Sequence, residues 1–94
     1  MEGGFVLHFL GGDPRLVDIH PSARKHGIAN EDIGHAMRHC LAIDDQDQDN
    51  RLYLGPARSA ALLEVATVVR NDGSELAIHA MKMRATYRRL LPGG

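Results

Sequence analysis

Near the end of the 94-residue chain, His79, Lys82, Arg84, Tyr87, Arg88 and Arg89 fall within eleven positions. Cleaving RNA by its own 2′-hydroxyl requires a base, an acid and positive charge on the phosphorane. This cluster has candidates for all three. His79 can shuttle a proton, Tyr87 can donate one or stack on a nucleobase, and the Arg and Lys side chains can hold phosphates. The same residues also fit a solvated helix end whose cations complement the dipole. Glu64 alternates with apolar neighbours in a strand-like run. It reads either as a general base diagonal to His79 or as the ion-pair partner of a C-terminal arginine. A second basic corner, Arg24-Lys25-His26-Gly27, offers further phosphate contacts through Lys25 and His26 if folding brings it beside the C-terminal cluster. It equally fits a helix C-terminus with cations and a glycine cap.

Other groupings point to less. His35 and His39 have the four-residue spacing of zinc helices, followed by Cys40. No second cysteine completes a site, and Cys40 belongs to an apolar stripe, so no metal is expected. The acidic run Asp44-Asp45-Gln46-Asp47-Gln48-Asp49-Asn50 lacks the glycine and the terminal glutamate of an EF-hand loop and reads as a solvated connection. No glycine pair matches a phosphate-loop spacing, so no cofactor is expected.

Elements that could position these groups follow from periodicity. Pro21 to His26 reads as a short helical turn, with Pro21 at a first helical position and Gly27 at the exit. A second helix is predicted from Asn30 as cap, with Glu31 and Asp32 at its start and Ile33, Met37, Cys40 and Leu41 as its apolar stripe. Arg51–Gly55 and the β-branched run Leu62–Arg70 read as strands. Asn71-Asp72-Gly73-Ser74 carries a hairpin signal, and Glu75–Lys82 returns as the next strand. A two-residue Asp72-Gly73 loop sets Arg70 against Glu75, Ala66 against His79 and Glu64 against Met81. Val65, Thr67 and Val69 then share the more apolar face with Leu76, Ile78 and Ala80, and that face should pack under the helices. A last helix is expected at about Ala85–Leu91. The sum is an α+β fold: a small antiparallel sheet with two N-terminal helices and one C-terminal helix. Residues 1–18 form an N-terminal extension or edge strand, and 19–94 the single domain.

Composition bounds the function. One cysteine forbids an internal disulfide. The longest uninterrupted apolar runs, such as Ala60–Leu63, are four residues, against the ~20 of a membrane helix. The Met-Glu-Gly-Gly start has neither the basic region nor the apolar core of a signal peptide. A cytoplasmic protein with no membrane contact is the expectation. Net charge is −1, but residues 1–50 hold nine acids and four bases, and residues 51–94 hold three acids and seven bases. Overall attraction to a polyanion is therefore weak, with a local basic face near the C-terminus.

Several segments occur in a telling order: Ala23-Arg24-Lys25-His26-Gly27-Ile28, the acid-led helix at Glu31-Asp32-Ile33, the acidic loop, Arg51-Leu52-Tyr53-Leu54-Gly55, a hairpin, and a terminal helix led by Met83-Arg84-Ala85. From about His20 to Leu91 this order resembles the BrnT-type toxins, small ribonucleases of bacterial type II toxin–antitoxin systems with a RelE-like fold. The chain departs from that pattern in having no Trp, and in running His79-Ala80-Met81-Lys82-Met83-Arg84 where Ser-Ala-Arg is typical. The resemblance implies a toxin that cuts RNA and inhibits translation. Its cognate antitoxin protein would neutralise it, and operator DNA would be bound only through the antitoxin complex. Lys25, His26, Lys82, Arg88 and Arg89 would be the RNA-binding set, beside His79, Arg84, Glu64 and Tyr87 as the catalytic candidates. Two alternatives stand: a noncatalytic relative that only binds an antitoxin or another protein, and a small nucleic-acid-binding module. The ribonuclease needs His79 or Glu64 close to Arg84 and Lys25 in an open groove. The noncatalytic relative predicts those groups tied up in salt bridges and an exposed apolar patch.

Overall fold

The structure is a computed structural model that describes residues 17–47 and 49–93. Of the segment 1–18 read as an extension or edge strand, residues 1–16 therefore lie outside the described residues. Five strands form one sheet: β1 (Val17–Ile19), β2 (Ala42–Asp45), β3 (Asn50–Pro56), β4 (Leu62–Val69) and β5 (Glu75–Lys82). Their order is β1-β5-β4-β3-β2. One α-helix, α1 (Asn30–Arg38), lies over β3 and β4, and two 3-10 helices occupy Pro21–Arg24 and Ala85–Leu90.

This architecture corrects the expected antiparallel, RelE-like arrangement of two N-terminal helices and one C-terminal helix. Among the described residues there is a single α-helix, and the sheet is mixed because β1 runs parallel to β5. Both short helices have physical reasons to stay 3-10. Pro21 starts the first at its opening position, and Gly27 at φ +78° turns the chain away within two residues of the Lys25 cap. The second spans six residues and buries none of them, so no packed face repays the cost of an α-helical nucleus. Its N–H groups bond three residues back, Tyr87 to the Arg84 carbonyl and Leu91 to that of Arg88.

The run read as an acidic loop supplies a strand. β2 pairs antiparallel with β3, setting Asp45 opposite Arg51, whose Nε donates to Asp45 Oδ1 at 2.8 Å. An opposite-charge pair across two strands outweighs the poor strand propensity of aspartate.

The β4–β5 hairpin refines the predicted register. Arg70 N–H donates to the Ser74 carbonyl and Gly73 N–H to the Arg70 carbonyl, with Gly73 at φ +87°. The loop is thus three residues, a tight turn closed by a left-handed glycine, and not the two-residue loop. Val69 consequently faces Glu75, and Thr67 faces Ala77. An irregularity between Ala66 and Thr67 then accommodates Ile78 as an extra residue, restoring Ala66 opposite His79 and Glu64 opposite Met81 as predicted. Glu75 and Ala77 therefore lie on the α1 side of the sheet with Thr67, while His79 and Met81 lie on the far side with Glu64.

The α1 side holds the main core. Ile33, Ala36 and Met37 pack with Tyr53, Leu63, Val65, Ala77 and Ala80, joined by Ala23 from the first 3-10 helix. Each fully buried aliphatic side chain contributes roughly 1.5–3 kcal/mol. Cys40 packs against this core as the stripe predicted, whereas Leu41 is 49% exposed. Ala29, not Asn30, occupies the cap position of α1. The helix sits so close to β3 that a Cβ on Gly55 would collide with the Ala36 carbonyl oxygen and press on the Cys40 Cα. Among the described residues no helix is long and apolar enough to cross a membrane.

Candidate functional site

On the far side of the sheet, the strand alternation that buries Val65 toward α1 points Glu64 the other way, into a position of 0% exposure. A carboxylate there needs partners, and the chain leaving β5 provides them. Met83 N–H extends the ladder to the Leu62 carbonyl, and the next residue folds across β4. Arg84 N–H donates to Glu64 Oε1 at 2.9 Å, Arg84 Nε to both carboxylate oxygens at 3.1 and 3.2 Å, and Arg84 Nη2 to Oε2 at 2.6 Å. His79 Nε2 donates to the same Oε2 at 3.0 Å. Burial by itself would raise the Glu64 carboxyl, but the bonds from Arg84, then the one from His79, outweigh it and hold the group below the ordinary glutamate range. Arg84 is correspondingly raised, chiefly by its bond to Glu64. Glu64 is thus the ion-pair partner of a C-terminal arginine, one of its two sequence readings, and it also lies beside His79.

The Glu64 contact fixes the tautomer of His79. With Nε2 donating to a carboxylate, Nδ1 is the acceptor of the neutral ring. The His79 side chain remains 30% exposed. Against it lies His26, edge to face, with ring centroids 5.8 Å apart and planes at 81°. The first 3-10 helix explains the meeting. β1 reaches only to Ala77 on β5, and His20 N–H closes that pairing on the Ala77 carbonyl. Ser22 Oγ then donates to the Ile78 carbonyl at 2.7 Å, pinning the turn to β5 just before His79. Ala23 anchors it in the core, and Lys25 and His26 emerge exposed. Arg84 in turn lies over the Tyr87 ring, its Cζ 5.6 Å from the centroid.

The structure therefore brings together Glu64, His79, Arg84, Tyr87 and His26, with Lys25 beside His26 in the same turn. Arg88 and Arg89 are exposed on the 3-10 helix that follows Arg84. Lys82 does not join them: its pairing with Leu63 puts it on the α1 side of the sheet. His26 and Arg84 are exposed and His79 is half-buried, above the buried Glu64. A cavity of about 620 Å³ between β1 and α1, lined by Val17, Ile19, Asn30 and Arg38 among others, contains none of the cluster's residues.

Sequence reasoning missed a second buried carboxylate. Glu75, on the α1 side, accepts from Tyr53 Oη at 2.7 and 2.8 Å, from Thr67 Oγ1 at 2.8 Å and from Arg51 Nη1 at 3.2 Å. Burial first, and the Glu75 carboxylate second, push the Tyr53 phenol well above its ordinary range. The available signal was a lone tyrosine among leucines in β3, whose hydroxyl had to find a buried partner. The zinc-like pair also finds its place. His35 and His39 lie with ring centroids 4.4 Å apart and planes tilted by 41°, and His35 Nδ1 donates to the Pro56 carbonyl, tying α1 to the end of β3. Among the described residues no group of three or more His, Cys, Asp or Glu side chains is arranged to hold a metal ion.

No family model, no curated protein and no solved structure matches the chain.

Proposed function

We propose that the protein is a ribonuclease toxin of a bacterial type II toxin–antitoxin system, acting in the cytoplasm on RNA and neutralised by a cognate antitoxin, with operator DNA bound only through that complex. The observation that carries the catalytic part is the His26–His79 contact, with the His79 ring oriented by the buried Glu64. His79 Nδ1 takes the proton of a ribose 2′-hydroxyl, and the freed oxygen attacks the adjacent phosphorus. The phosphorane that forms gains negative charge, which Lys25 and the outer edge of Arg84 stabilise. The P–O5′ bond then breaks as the 5′-oxygen takes a proton from protonated His26, leaving a 2′,3′-cyclic phosphate on one fragment. Tyr87 offers a face for stacking a base next to the scissile bond. The required groups are all side chains of this chain, so the reaction is proposed as metal-independent.

A second reading has its own observation. Arg84 spends both Nε and Nη2 on Glu64, and Leu41 and Ile43 are exposed, the combination expected of a noncatalytic binding domain. Induced expression in bacteria, with growth and RNA integrity followed over time, separates the two. The ribonuclease reading expects growth arrest and RNA fragmentation by the wild type, both lost in folded His79→Asn. Healthy growth with intact RNA contradicts it and leaves the binding domain.

A further inference from the structure

β2 ends the sheet, and among the described residues no strand pairs with its outer side. The inner side is settled by hydrogen bonding. Gln46 N–H donates to the Asn50 carbonyl, so by the two-residue alternation of antiparallel ladders Ala42 and Asp44 turn their backbone groups to β3. Ile43 and Asp45 turn theirs outward. Leu41 and Ile43 are the exposed large hydrophobics of the described chain, at 49% and 52%, and both sit at this edge. An open edge with exposed apolar residues is a template for another strand.

Charge decides which strand. The edge carries Asp44 and Asp45 and runs into Asp47 and Asp49, with Arg51 paired to Asp45. A second copy offers these aspartates no cation: paired antiparallel, it sets them against one another, against Ile43, or, centred on Ile43, against Ala42 and Leu41. We infer that the β2 edge binds a protein partner by strand addition, the added strand alternating apolar residues, which cover Ile43 and Leu41, with Lys or Arg, one of which meets Asp44 on the other face. This does not rest on the ribonuclease reading. It uses the opposite edge of the sheet from β1 and β5, and it holds for a toxin or a pure binding domain.

The test is selection from a phage-displayed library of random peptides against the full-length chain, followed by affinity measurements with the selected peptides. Selected sequences should alternate Val, Ile or Leu with Lys or Arg. Ile43→Pro removes the outward N–H and the apolar side chain without touching the inner ladder, and should weaken binding at least tenfold. Asp44→Lys keeps the backbone and should weaken the same peptides severalfold, with thermal melts confirming that both variants fold. Peptides without basic residues, binding unchanged by Ile43→Pro and Asp44→Lys, or no enriched peptide would each overturn the inference. So would a concentration-dependent dimer that Ile43→Pro abolishes, since the edge would then serve a second copy.

Discussion

Glu64 and Glu75 are both buried carboxylates on neighbouring strands, and they are held in opposite ways. Glu75 is braced from within the sheet by the neutral hydroxyls of Tyr53 and Thr67, with Arg51 at its margin. Glu64 is held by a guanidinium, a backbone N–H and an imidazole, all from one segment around the end of β5. The first network links strands that already pair and turns no proton-active ring toward solvent. The second clamps an incoming chain while leaving His79 and Arg84 partly in water, at 30% and 54% side-chain exposure. A buried acid whose partners are buried hydroxyls is a brace. A buried acid whose partners reach the surface orients groups that can meet a ligand.

The comparison breaks most visibly at Glu75. Glu75→Ala leaves the buried Tyr53 and Thr67 hydroxyls without their acceptor and is expected to cost about 3–5 kcal/mol, read as a lower urea midpoint. If instead the loss is below about 1 kcal/mol, Glu75 is no brace. Tyr53→Phe removes one of those donors and should cost about 1–2 kcal/mol, with RNA cleavage unchanged in the folded fraction.

Acid titration sharpens the contrast. Because the Glu64 carboxyl lies below its ordinary range, its contribution to stability is full above that range and is lost as pH falls through the lower folded value. Glu64→Gln should therefore flatten the decline in urea midpoint between about pH 6 and about pH 3, relative to wild type. Asp32 and Asp72, also lowered, by Arg58 and Ser74 respectively, remain in both proteins and set the residual slope. An identical slope in the two proteins would mean that Glu64 is not the titrating group. The smallest stability effect belongs to His79→Asn, expected within about 1 kcal/mol of wild type in urea, since its ring is partly solvated and Arg84 still satisfies Glu64.

Much of this geometry was legible in the sequence, and the exceptions have physical causes. β3, β4, β5 and α1 follow from alternation and from the Ile33/Met37 stripe, and Glu64, His79, Arg84 and Tyr87 do cluster. The pairing of His79 with Ala66 was right although its loop was wrong. A left-handed Gly73 added one residue at the turn, and Ile78 absorbed it before His79. β2 was invisible because Asp44 and Asp45 have poor strand propensity until Arg51 lies across from one of them. The helix expected at about Ala85–Leu91 forms only as a 3-10 helix, because periodicity cannot reveal that a segment will bury none of its residues. The Tyr53–Glu75 bond and the His26–His79 contact join residues far apart in sequence, and no local spacing encodes them.

The most direct measurement is cleavage of a short oligoribonucleotide by purified protein in excess chelator, comparing wild type with His79→Asn and with a substrate whose ribose 2′-hydroxyls are absent. Fragments ending in a cyclic phosphate, reduced about 10²–10⁴-fold by the substitution and absent from the deoxy substrate, are the predicted result. Intact RNA from the wild type, or equal cleavage by the two proteins, would contradict the assignment of this cluster as a ribonuclease centre.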